Sequence, residues 1–126
     1  MKRFSFHKTE RLCSEVAVSE VFISGTSLQK YPLRMLYLKT DGGSGPALKA
    51  AFTVPKRSFK RAVDRNLLKR RMREAYRLNR GDLAGVFTDK GYRMHVVFAF
   101  YSHDIATYPE IETAMVLLLN QLRTVP

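Results

Sequence analysis

The residues best placed to do chemistry are cations. Between Phe59 and Arg80 stand Lys60, Arg61, Arg65, Lys69, Arg70, Arg71, Arg73, Arg77 and Arg80, against only Asp64 and Glu74. Arg65, Lys69, Arg73 and Arg77 recur every four residues, the spacing that stacks side chains on one side of a helix. At about 100° per residue, Lys69, Arg73, Asn66, Arg77 and Arg70 share an arc of roughly 100°, with Arg65 and Arg61 along its edge. Like charges stacked this way destabilise an isolated helix by roughly a few tenths of a kcal/mol per pair. Phosphates that neutralise the ladder remove that cost, and arginine offers them a planar fork. The chemistry is capture of a polyanion. Nothing points to bond-breaking: His7, His95 and His103 lack ligand spacing, and no paired carboxylates stand out.

The totals agree. The chain has 126 residues, 45% of them hydrophobic, which suits one domain with a modest core. Lys and Arg number 22 against 11 acidic residues, for a net charge of +11 and a pI near 10.2. Charge of this size, concentrated in one segment, implies a nucleic-acid partner and not merely a basic surface. Cys13 is the only cysteine, so an intramolecular disulfide and a cysteine metal site are excluded. The N-terminal residues are basic without a following apolar core, and no apolar run approaches the roughly 20 residues that span a bilayer. The expected setting is cytoplasmic and reducing, with no membrane and no obligate protein partner.

The basic stretch needs a scaffold. A first helix is expected from Ser14 to Phe22, capped by Ser14 and stopped by Gly25, with Val18, Val21 and Phe22 as its apolar stripe. Gly25–Leu28 begins a short strand. Leu33–Thr40 and Leu48–Pro55 read as strands joined in an antiparallel hairpin by the turn Asp41–Pro46. The basic helix follows from Phe59 to Arg80, with Ser58 as N-cap and Gly81 past its end. Within it, Leu68, Met72, Ala75 and Tyr76 cluster on one side, while Val63, Leu67 and Leu78 lie on another. Gly81–Gly91 reads as loop, with a helical turn at Asp82–Ala84. Met94–Tyr101 is a nearly continuous apolar run, suited to a strand buried on both faces. Thr107-Tyr108-Pro109-Glu110 has capping-box spacing. Ile111, Ala114, Met115, Leu118 and Leu122 then form one apolar face of a last helix to about Thr124.

Ala62-Val63-x-Arg65-Asn66-x-x-Lys69-Arg70-x-x-Arg73-Glu74 resembles the signature of the protein subunit of bacterial ribonuclease P. Arg11-Leu12, Val21-Phe22, Gly25-Thr26-Ser27 and Val54-Pro55-Lys56-Arg57 extend the resemblance over most of the chain. Two positions depart from the pattern. Lys60 stands where the family usually has a small residue, and Val18 where many members have an aromatic one.

The resemblance implies an α+β single domain in the order α-β-β-β-α-β-α, its mixed sheet packed against helices. That fold is similar to domain IV of elongation factor G. The basic helix would form a left-handed β-α-β crossover between Leu48–Pro55 and Met94–Tyr101, against the usual preference. The resemblance also implies a ribonucleoprotein endonuclease that hydrolyses the 5′ leader from precursor tRNA, with the catalytic site and its Mg²⁺ in the RNA subunit. Arg65, Asn66, Lys69, Arg70 and Arg73 match RNA-contacting positions. Arg61 and Arg77 extend that set along the helix, and Lys56 and Arg57 precede it. Phe22, Tyr37 and Val18 would meet the single-stranded leader in a cleft between the first helix and the sheet. Ala62, Val63 and Leu67 are assigned to packing. A ribosomal-type RNA-binding module and a DNA-binding helix protein are the alternatives. The second lacks helix-turn-helix spacing.

Overall fold

The computed structural model describes residues 10–12, 14–40 and 46–125; His7, Cys13 and residues 41–45 of the expected turn lie outside this set. The chain runs α1 (Glu15–Ser24), β1 (Thr26–Lys30), β2 (Leu33–Thr40), β3 (Leu48–Thr53), α2 (Ala62–Asn79), α3 (Leu83–Lys90), β4 (Arg93–Phe100) and α4 (Tyr108–Arg123). The α+β class and the mixed sheet are as expected, with one helix more than the sequence order held.

The sheet order is β1-β2-β4-β3. β2 pairs antiparallel with β1 and β4, and β3 pairs parallel with β4. The expected hairpin between β2 and β3 is therefore not formed, because β4 lies between them. β4 is the strand with apolar residues on both faces, and a central place buries both. Parallel pairing of β3 with β4 requires a long crossover, which α2 and α3 supply.

Alternation along the strands divides the core. Leu33 and Met35 of β2, Leu48 and Ala50 of β3, and Met94, Val96, Phe98 and Phe100 of β4 form the main core with α2, α3 and α4. The opposite face carries a smaller cluster of Leu12, Val21, Leu36 and Val97 under α1. Gly25 ends α1 where space is short: a Cβ there would lie 2.4 Å from the Val21 carbonyl oxygen and 2.8 Å from that of Tyr37.

The helix ends follow local chemistry where tertiary packing permits. Ser14 Oγ accepts from Ala17 N at 3.3 Å. The Thr107–Glu110 capping box is complete, with Pro109 in the first turn. α2, however, begins at Ala62 and not at Phe59. Phe59 is buried in the core, its ring 5.7 Å from that of Phe100, and Arg61 takes the N-cap position without a side-chain cap bond. Ser58 is therefore not the cap. α3 replaces the expected loop: Leu83 and Phe87, one turn apart, are both fully buried, and Gly91 ends it at φ 85°. Among the described residues, no helix is long and apolar enough to cross a membrane.

Candidate nucleic-acid interface

α2 exposes its cations because its opposite side is anchored. Leu68, Met72, Ala75 and Tyr76 are buried, and α2 packs against α4 and β3. Burial drives the Tyr76 phenol far above its ordinary pKa, so it stays neutral in the core. Arg80 forms an ion pair with Glu10 at 2.7 Å, with little of either side chain exposed. This pair ties the end of α2 to the N-terminal segment, which also docks through Leu12 N on the Ala50 carbonyl at 2.9 Å.

Asn66, Arg70 and Arg73 are exposed on the basic face, and Lys69 is half-buried. Two members of the ladder already have work inside the protein. Arg65 Nη1 donates to the carbonyls of Phe59 and Lys60, each at 2.8 Å, and so holds the turn into the helix. Lys60 is exposed, so its longer side chain meets solvent and not the core. Arg77 grips Glu74 with two hydrogen bonds, and this holds the Glu74 carboxyl below its usual pKa. Arg61, at the N-cap, lies 4.0 Å from Asp64 with most of its side chain in solvent. Lys56 and Arg57 are exposed before the helix. Arg70, Arg73 and Arg77 join Arg11 and Glu74 around a pocket of about 230 Å³. Arg11 was not among the expected site residues. Its only sequence signal is its place beside Leu12, and the fold alone brings it to α2.

The packing assignment of Ala62, Val63 and Leu67 is corrected. Ala62 is exposed, Val63 is 65% exposed and Leu67 is half-buried, because the core takes the other apolar side of the helix.

Phe22 and Val18 lie on α1, one turn apart. Phe22 is 45% exposed, and Val18 packs against the smaller cluster. Tyr37 does not join them. It packs with the main core on the opposite sheet face, while its neighbour Leu36 faces α1 and is buried. A single-residue step reverses the face a strand side chain occupies. Under α1 the strands instead present Arg34 and Leu38 from β2, Lys49 and Ala51 from β3, and His95 from β4. His95 is half-buried. Burial lowers its pKa first and Lys49 lowers it further, with Glu20 opposing. These influences favour the neutral imidazole. Among the described residues, no three His, Cys, Asp or Glu gather as a metal site.

Fold and site together define a small α+β protein that sets one strongly basic helix across the back of a four-stranded mixed sheet. The chain belongs to the ribonuclease P protein family: the family model described as Ribonuclease P matches residues 6–123. A relative from Porphyromonas gingivalis, named ribonuclease P protein component, is 33% identical over 112 residues, covering 89% of this chain and 82% of the relative. One of the same name from Chlorobium phaeobacteroides is 41% identical over 76 residues, or 58% of this chain and 52% of that one. The fold matches the RNase P protein of Staphylococcus aureus with a TM-score of 0.67 at 15% identity, over 92% of this chain and 96% of that one. It matches the RNase P protein of Thermotoga maritima with a TM-score of 0.66 at 23% identity, over 93% and 98%. Membership makes the chain a protein component of a ribonucleoprotein that serves tRNA processing.

Proposed function

We propose that this chain binds the ribonuclease P RNA through the basic face of α2 and holds the single-stranded 5′ leader of precursor tRNA between α1 and the sheet. The observation that carries the reading is the exposure of Asn66, Arg70 and Arg73 on a helix whose other side is locked in the core. The helix backbone that carries these side chains is already fixed, and the planar arginine fork loses less entropy per hydrogen bond to phosphate than a flexible lysine. Lys69 extends the row, and Arg61, Lys56 and Arg57 continue it beyond the helix start. Arg65 and Arg77 support it from within.

Phe22, exposed on α1, offers a ring on which a leader base can stack, and single-stranded bases are commonly held in this way. Val18 lines the base of the same cleft, with Lys49 and Arg34 on the strands as phosphate partners. Hydrolysis of the phosphodiester belongs to the RNA subunit, and Mg²⁺ supplies its charge stabilisation there. On this reading the chain's own part is binding and orientation.

Reconstitution tests the reading. The full chain is mixed with a bacterial ribonuclease P RNA and precursor tRNA at low Mg²⁺. Cleavage faster than with RNA alone is expected. Equal rates with and without the protein would overturn the proposal.

A further inference from the structure

α2 has a third face, turned away from the core and meeting the basic arc only at Arg70. Val63, Leu67, Arg70, Arg71, Glu74 and Leu78 share an arc of about 100° on it. Three of these six are apolar, yet Val63 and Leu78 stand 65% and 39% exposed. Where this face meets the first turn of α4, Leu67, Arg70, Arg71, Glu74 and Tyr108 surround a pocket of about 280 Å³. That lies just under the range of about 300–1,000 Å³ that takes drug-sized ligands, so it suits one flat ring system.

The walls are held in place. Tyr108 donates its hydroxyl to Glu112 Oε2 at 3.1 Å, and the same oxygen receives Asn79 Nδ2 at 3.1 Å. Arg71 Nη1 donates to the Ala106 carbonyl just before α4. The ring and its surroundings are thus ordered before any ligand arrives.

Arg70 and Glu74 line this pocket and also the arginine pocket shared with Arg11, Arg73 and Arg77. A recess with an aromatic wall and a recess with guanidinium walls therefore share one ridge. A nucleotide has the matching two-part form, a flat base beside an anionic phosphate. An apolar protein helix would fit the first recess but would bring no anion to the arginine-rich second one.

We propose that the pocket between α2 and α4 receives an unpaired base of the ribonuclease P RNA, stacked on Tyr108 and against Leu67, with that nucleotide's phosphate on Arg70 and the neighbouring arginines. This rests on the reading that α2 faces the RNA subunit. It adds that the contact includes a base and not phosphates alone.

The test is equilibrium binding of the full chain to the transcribed RNA subunit across a salt series, with thermal unfolding of each variant as a check on folding. Tyr108→Leu removes the ring, and Leu67→Trp fills the pocket from the surface side of α2 and does not depend on the Tyr108 site tolerating change. Both are expected to weaken binding about tenfold, the loss of roughly one stacked base, with the salt slope unchanged because no phosphate contact is removed. Tyr108→Phe keeps the ring and is expected to bind like the wild type. Arg70→Ala is expected to flatten the slope by about one unit. Wild-type affinity in both pocket variants, with Arg70→Ala and Arg73→Ala weakened, would overturn the pocket and leave the broader reading standing. No change in any of the four would overturn both. A loss confined to precursor tRNA binding, with RNA-subunit affinity intact, would also overturn the assignment, because the base would then come from the substrate.

Discussion

Arg77 reaches back one helical turn to Glu74, its Nε 3.0 Å from Oε1 and its Nη2 2.7 Å from Oε2. The pair places the Glu74 carboxylate among Arg11, Arg70 and Arg73, where it offsets part of the field that phosphates would meet.

Glu74→Gln is therefore expected to tighten binding to the RNA subunit and to steepen the salt dependence by up to about one unit, as Arg77 is released for a phosphate. Stability at neutral pH should change little, because the pair is partly open to solvent and its attraction is screened. The acid side shows the linkage. The Arg77 hydrogen bond depresses the Glu74 pKa in the folded state. The pair's contribution is then present above the unfolded value of about 4.3 and is lost as pH falls through the lower folded value. Binding isotherms over a salt series check the first point, and wild-type affinity with an unaltered slope would count against it.

Arg65 and Arg73 occupy the same ladder but predict different outcomes. Arg73 is exposed, so Arg73→Ala should weaken RNA binding and flatten the salt slope by about one unit with no loss of stability. Arg65 bonds two backbone carbonyls of the turn that brings Phe59 into the core. Arg65→Ala should cost about 1–3 kcal/mol of folding stability, as two hydrogen bonds to a charged donor are removed. Urea denaturation of the two variants separates these effects. Equal midpoints would show that the Arg65 bonds contribute nothing to the fold.

What the residues disclose and what they conceal divides along local and non-local lines. The Ser14 cap and the Thr107–Glu110 box are legible because each bond spans three residues. The charge of α2 is legible because it is composition. The place of β4 between β2 and β3 depends on pairing between residues as far apart as Leu48 and Met94 or Leu33 and Phe100, and strands adjacent in sequence suggest a hairpin instead. α3 was hidden by Gly85 in its middle, a weak helix former that the burial of Leu83 and Phe87 outweighs. The start of α2 was misplaced because the demand of the core for Phe59 is tertiary. The face of Tyr37 is not legible because Leu33-Arg34-Met35-Leu36-Tyr37-Leu38 has apolar residues in both phases, so alternation does not declare which phase faces α1, and the resemblance alone puts Tyr37 beside the leader.

Phe22 and Tyr37 consequently make opposite predictions for the leader. Phe22→Ala should weaken binding of precursor tRNAs with long leaders by about 1–3 kcal/mol, the range for one stacked base. It should barely affect a precursor with a single leader nucleotide. Tyr37→Ala should lower folding stability and affect both substrates alike, since its ring packs with the main core. Affinities for matched long-leader and short-leader precursors provide the check. A length-dependent loss in Tyr37→Ala would return that residue to the cleft.

His95 gives the cleft a pH signature. Burial and Lys49 depress its pKa, against the pull of Glu20. A histidine with a lowered folded-state pKa binds its proton more readily when unfolded. Stability therefore rises with pH through the window between the folded value and the unfolded value of about 6.5, and the protein is weakest below it. His95→Gln removes this term, so its urea midpoint should fall less than that of the wild type as pH drops below about 6.5. Lys49→Gln removes one of the two depressing influences and should raise the His95 pKa, which an NMR titration of the imidazole Cε1 proton reads directly. Parallel stability curves for wild type and His95→Gln, together with an unmoved His95 titration in Lys49→Gln, would mean that the imidazole is solvated and that the face under α1 is more open than its half-buried position indicates.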